Sequence, residues 1–185
     1  MLKRTIVVSA FPACGKSYTY NHFNGKPFKI LDSDSTLFHY IWKDGKKTDK
    51  LNPNFISDYI VHIKENIGKV DVIFVSSHKE VRKALRDNDI SCFYVYPKLS
   101  MKQEFLRRMK ERGNDAKFIS TLDEHFEEWV TAMSEDAKKY KDSHLCLADE
   151  LCEEYPYIDN KMLYSMLDDS MGNLSCYWWN YGSPD

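Results

Sequence analysis

The chain has little of what would place it outside the cell or across a membrane. Its five cysteines (Cys14, Cys92, Cys146, Cys152 and Cys176) form no C-x-x-C pair and no regular framework. A disulfide scaffold is therefore not expected, and a reducing compartment is. No apolar run approaches the ~20 residues of a membrane span. The basic opening, Met1-Leu2-Lys3-Arg4, precedes an apolar stretch too short for a signal peptide. A cytoplasmic protein without membrane attachment is the expectation. Neither sign of charge dominates: 26 Lys and Arg against 28 Asp and Glu give a formal net charge of −2. That balance exerts no general pull on nucleic acid or anionic lipid, so any polyanion site must rest on local basic clusters. Internal repeats and low-complexity linkers are absent. With 185 residues, 43% of them hydrophobic, one substantial core and one domain are expected.

What is present is concentrated near the start. Thr5-Ile6-Val7-Val8-Ser9 is β-branched and apolar and reads as a buried strand. It runs into Ala10-Phe11-Pro12-Ala13-Cys14-Gly15-Lys16-Ser17, and a short helix through Tyr18 and Phe23 follows, halted by Asn24-Gly25. A strand, a tight loop ending Gly-Lys-Ser and a helix form a phosphate-binding loop. Backbone N–H groups from Pro12 to Tyr18, proline excepted, and the helix N-terminus would wrap a phosphate. Lys16 would reach the β- and γ-phosphates of ATP, and the Ser17 hydroxyl would sit on Mg²⁺. Ala10 and Ala13 stand where such loops usually carry glycine. Alanine resists φ > 0, so this loop is expected to differ in shape or to carry strain.

The second strand, 28–31, ends in Asp32-Ser33-Asp34-Ser35. Side chains alternate along extended backbone, so Asp32 and Asp34 share a side, at the strand end where open α/β sheets bind ligands. One carboxylate would hold Mg²⁺ or its waters, and the other would accept the proton of an attacking hydroxyl. The simpler reading is an Asx turn and helix cap. We put function first at Asp34 and leave Asp32 open. Residues 35–50 mix aromatics with a basic, turn-like run from Lys43 to Lys47 and read as either a stacking surface or ordinary packing. A helix over 55–67 follows, with a core-facing apolar stripe. The third strand, 70–75, exits at Ser76-Ser77-His78, without the aspartate that many nucleotide hydrolases place there. His78 is open to substrate contact or a helix-start role. Arg82, one turn on, is a candidate to hold a substrate phosphate, against the simpler reading of a solvated helix face. After a fourth strand, 90–96, the helix carrying Arg107, Arg108, Lys110 and Arg112 breaks at Gly113-Asn114, and a long helix follows. Arg108 and Arg112 share a face. The pair of helices, about 100–125 at its moving part, reads as a lid whose arginines close over transferring phosphate. A short fifth strand, 144–148, and a C-terminal stretch with one helix (161–167) and an aromatic end (177–181) complete the chain.

Alternating strands and helices imply an α/β fold with a doubly wound parallel sheet. The whole order resembles the small P-loop kinases: nucleoside monophosphate kinases, shikimate- and gluconate-type kinases, and the kinase domain of phage polynucleotide kinases. Pro12 before Gly15-Lys16-Ser17 is similar to the polynucleotide kinase loop, Asp32-Ser33-Asp34 to the acidic pair of shikimate-type kinases, and Arg107 to Gly113 to a polynucleotide kinase lid. Small phage proteins also share this look. The resemblance covers about residues 3–150 and implies a five-stranded sheet of order 2-3-1-4-5 with a helical lid. It divides the chain into a kinase-like domain, 1–154, and an extension, 155–185, packed on it. It further implies an Mg-ATP-dependent phosphotransferase acting on a nucleotide or nucleoside. Lys16, Asp34, Asp32, Arg108 and Arg112 would be its catalytic groups, Ser17 and Asp32 its metal contacts, and Asp34 and Arg82 its substrate contacts. Two other readings stand beside it: a kinase for a hydroxyl of DNA or RNA, and a nucleotide-binding regulator without turnover.

Overall fold

The computed structural model describes residues 5–140, 144–147 and 157–170. In chain order the elements are β1 (Ile6–Ala10), α1 (Lys16–Phe23), β2 (Ile30–Asp32), α2 (Thr36–His39), β3 (Tyr40–Lys43), β4 (Lys46–Leu51), α3 (Phe55–Asn66), β5 (Val72–Val75), α4 (Lys79–Asp87), β6 (Cys92–Pro97), α5 (Lys102–Glu111), α6 (Ala116–Tyr140), β7 (His144–Leu147) and α7 (Asn160–Ser170). Four parallel strands in the order β2-β5-β1-β6 form the centre of an α/β arrangement, compatible with a Rossmann-like fold. β7 pairs in parallel on the outer side of β6, with Tyr94 opposite His144. β3 and β4 form a separate antiparallel hairpin.

β1 lies between two neighbours, with Val8 opposite Phe74 on one side and Phe93 on the other. All five of its residues are buried. A central parallel strand is covered on both faces, which is why Ile6-Val7-Val8 reads as a continuous apolar run rather than an alternating one. The α3 stripe behaves as its spacing predicts: Tyr59, Ile60 and Ile63 are buried. Both the first β-α loop and the end of β2 emerge at the C-terminal edge of this sheet, where parallel folds gather ligand-binding groups.

The two helices of the expected lid are anchored by their apolar faces. Phe105 of α5 and Phe126 of α6 are fully buried and pack edge-on to each other and to Phe11 of the phosphate loop, with ring centroids 5.4–6.0 Å apart. Met109, Leu122, Val130 and Met133 are buried as well. One face of each helix is thus core, while the opposite faces (Arg107, Lys110, Asp123, Glu127) and the turn around Arg112 and Gly113 are exposed. The apolar face that each helix needs in order to fold also anchors it. The C-terminal stretch also joins the core, through Ile158, Met162, Leu163 and Met166. The aromatic end at 177–181 lies outside the described residues, as do residues 148–156.

Candidate nucleotide site

The loop between β1 and α1 is built on two left-handed residues, Ala13 at φ 62° and Gly15 at φ 100°. Ala13 therefore keeps the backbone that glycine would supply and bears the steric cost of its Cβ, about 1–2 kcal/mol. Gly15 is required twice over. Its φ excludes most side chains, and a Cβ there would lie 3.2 Å from Tyr157 Cβ. The loop is tied down by its neighbours: Phe11 N–H donates to Val95 O at 2.9 Å, and Ile158 N–H donates to Cys14 O at 2.9 Å. Thr19, buried on α1, donates its hydroxyl to Ile158 O. Tyr157 and Ile158 thus form a strap along the loop, a feature that sequence reasoning did not find. No local motif marks it, because the contact spans more than 130 residues of chain.

Lys16 turns back over the loop. Its Nζ donates to Ala10 O at 2.6 Å and to Phe11 O at 3.3 Å. Burial lowers its pKa, opposed by Cys14 and by the carboxylates of Asp32 and Asp34 and reinforced by the Arg112 guanidinium. Residues from the loop, the end of β2 and the end of α5 therefore share one electrostatic environment. Ser17 and Tyr18 are exposed at the start of α1, and Pro12 is half-buried in the turn. The Tyr18 ring stacks on His22 at 3.8 Å, so it covers its own helix.

Asp32 is half-buried and Asp34 exposed. Asp34 Oδ1 accepts the Thr36 N–H at 2.9 Å, an Asx turn that starts α2. Turn and functional readings are compatible, since a carboxylate has a second oxygen. Ser33 between them is held by Tyr59, whose hydroxyl donates to Ser33 O at 2.7 Å and accepts the Ser76 N–H at 3.1 Å. Tyr59 so clamps the exits of β2 and β5 together, and burial pushes its phenol up to about 12. Sequence reasoning assigned it only to the core stripe. His78 and His39 stand beside the same exits, ring centroids 6.5 Å apart. Burial lowers the His78 pKa, opposed by Glu80 and helped by the neighbouring His39 and by the Arg82 and Lys16 cations.

Two arginines do not stand where the sequence suggested. Arg82 is neither a solvated helix residue nor open to a substrate: it is 3% exposed, with Nε donating to Asp136 at 2.9 Å and a second nitrogen to Ser77 O. Arg86 lies 3.6 Å from the same carboxylate, donates to the Tyr94 hydroxyl at 2.9 Å and covers the Tyr140 ring at 4.1 Å. The group is a strut between α4 and α6. Arg108 is 6% exposed, paired to Glu104 at 2.8 Å and stacked over Tyr157 at 4.0 Å. The Arg107 and Arg108 guanidiniums hold the Glu104 carboxyl down at about 2. Arg112 is exposed at the end of α5; Arg107 is exposed as well and is paired to Glu104 and Glu111.

Among the described residues, no group of three His, Cys, Asp or Glu could cage a metal ion. Mg²⁺ does not need one, because it takes one or two protein oxygens with waters and phosphate oxygens. The Ser17 hydroxyl, the Asp32 carboxylate and the Lys16 ammonium suit a magnesium-bound polyphosphate. A groove at the far turn of α5 and α6, lined by Leu106, Lys110, Asn114 and Ile119 among others, includes none of these residues. No helix is long and apolar enough to cross a membrane among the described residues. No family model matches the chain, and a comparison with curated proteins returns no match.

Proposed function

We propose that the chain is a P-loop phosphotransferase that takes Mg-ATP as donor and a nucleotide or nucleoside as acceptor. The observation that carries this reading is the loop between β1 and α1, left-handed at Ala13 and Gly15 with Lys16 folded back over it, at the same edge of the sheet as Asp32 and Asp34. The sheet order β2-β5-β1-β6-β7, which is 2-3-1-4-5 when parallel strands alone are counted, supports a P-loop arrangement. Bound Mg-ATP would supply the phosphoryl group. In this reading the loop N–H groups and Lys16 hold the phosphates, Ser17 and Asp32 face the metal, and Asp34 accepts the proton of the acceptor hydroxyl. Arg112 stabilises charge on the transferring group, and Arg108 acts as a positioning residue through Tyr157. Catalysis rests on alignment and electrostatics.

The test is transfer from γ-labelled ATP to a panel of nucleosides, nucleotides and oligonucleotides. Asp34→Asn should abolish labelling of the accepted substrate while sparing ATP binding. Unchanged turnover in that variant removes Asp34 from the mechanism. A non-catalytic regulator is the second reading, motivated by the strained Ala13. Tight ATP binding with no labelled acceptor in the panel would favour it.

A further inference from the structure

The hairpin of β3 and β4 contributes nothing to the main core: among its residues none is buried, and only Thr48 of β4 is even partly covered. It turns tightly at Asp44-Gly45, both at positive φ (51° and 73°), which fixes its shape without packing. Its feet are tied beside the acid pair. Asn52 N–H donates to His39 O at 2.9 Å, and Asn52 Nδ2 donates to Phe38 O at 3.0 Å, both on the helix that Asp34 starts.

Four lysines and two aspartates lie on this hairpin, against the net −2 of the chain. Lys43 stands directly opposite Lys46, a like-charge pair that works against the fold of the hairpin on its own. Tyr40 and Trp42 lie two residues apart on β3, with an irregularity in the pairing between them. Lys47 stands opposite Trp42 and holds its Nζ 4.5 Å from the Tyr40 ring, so it links the two aromatics. Trp42 is 41% exposed and the neighbouring Leu51 61%. An exposed indole edged with four lysines, which outnumber the two aspartates of the hairpin, suits a base that stacks, joined to further phosphates along a strand. A duplex hides its base faces, and a nucleoside monophosphate offers a single phosphate to the four lysines.

We propose that this hairpin is an arm that binds single-stranded nucleic acid and leads its end toward Asp34. The second half rests on the phosphotransferase reading, with the acceptor hydroxyl carried on the end of a strand instead of on a free nucleotide or nucleoside; binding by the arm does not. The probe is a fluorescein-labelled dT12 oligonucleotide followed by anisotropy. Neutralising four phosphates should weaken affinity about 50-fold between 50 and 200 mM salt. Replacing Lys43, Lys46, Lys47 and Lys50 together by Gln should weaken binding at least tenfold and flatten the salt dependence. Trp42→Ala should cost about tenfold at fixed salt, and Trp42→Phe should restore most of it. The melting shift with Mg-ATP should be the same in all of these variants, which also reports that they fold. An oligonucleotide that the wild type does not bind, or that the lysine variant binds equally well, overturns the arm. Wild-type protein that pellets with phosphatidylserine vesicles through these lysines but ignores dT12 overturns it in favour of a lipid surface. Loss of the ATP shift with oligonucleotide binding intact overturns the kinase reading and leaves the arm standing.

Discussion

Ala13 and Gly15 carry the same backbone demand with different residues, and substitution at each should act in opposite directions. Ala13→Gly relieves the left-handed strain at φ 62° but loosens the unfolded chain, so a net gain of up to about 1 kcal/mol is expected. A thermal melt would register it as a rise of a few degrees; a clear fall would show that the alanine is not strained. Gly15→Ala meets both a φ of 100° and Tyr157 Cβ at 3.2 Å, and should destabilise by about 2 kcal/mol or more. Glu104 adds a pH prediction. Its folded pKa, about 2, lies below the ordinary 4.5 because Arg107 and Arg108 donate to it. A depressed carboxylate contributes stability above its unfolded pKa and loses it as pH falls toward the folded value. The wild-type melting temperature should therefore drop between about pH 4.5 and 2 more steeply than that of Glu104→Gln. Parallel curves would mean that this pair, partly open to solvent, contributes little.

Among the elements, α3 shows how a core helix can shape a site. Tyr59→Phe removes a donor and an acceptor that join Ser33, just past β2, to Ser76, just past β5. Leaving those backbone groups unpaired should cost about 1–3 kcal/mol. Because Ser33 sits between Asp32 and Asp34, acceptor transfer should fall more than ATP binding does. Equal losses in both would mean that the clamp serves stability alone. The parallel strands and α3 were legible in the sequence because burial on a sheet or one helix face leaves a pattern of period two or 3.6, or an unbroken apolar run. The turn from β1 into α1 was legible because Gly15-Lys16-Ser17 follows a strand and opens a helix. The β3–β4 hairpin was not, although Asp44-Gly45 marked a turn, because a strand pair with no buried face writes no alternation. Arg82 was misplaced because a charged residue one turn past a strand reads as solvent-facing, and Asp136, its partner, lies 54 residues on. The strap at Tyr157 and the docking of α5 on Phe11 escaped for the same reason: long-range packing leaves no local signal.

Across the whole molecule, the C-terminal edge of the parallel sheet collects the loop and the acid pair, while α6 and α7 each contribute buried residues to the core. Arg82, Arg86 and Asp136 brace α4 to α6, and Ile158 braces α7 to the loop through Cys14 and Thr19. A ligand on the loop should therefore stabilise the molecule as a unit rather than a single segment. Ligand that binds only the folded state raises stability by mass action, about 2.7 kcal/mol at a hundredfold excess over its dissociation constant. The direct measurement is the melting temperature of the wild type and of Lys16→Ala, each with and without millimolar Mg-ATP. The account predicts a rise of several degrees in the wild type and little or none in Lys16→Ala. No shift in the wild type, or an equal shift in both, would contradict nucleotide binding at this loop.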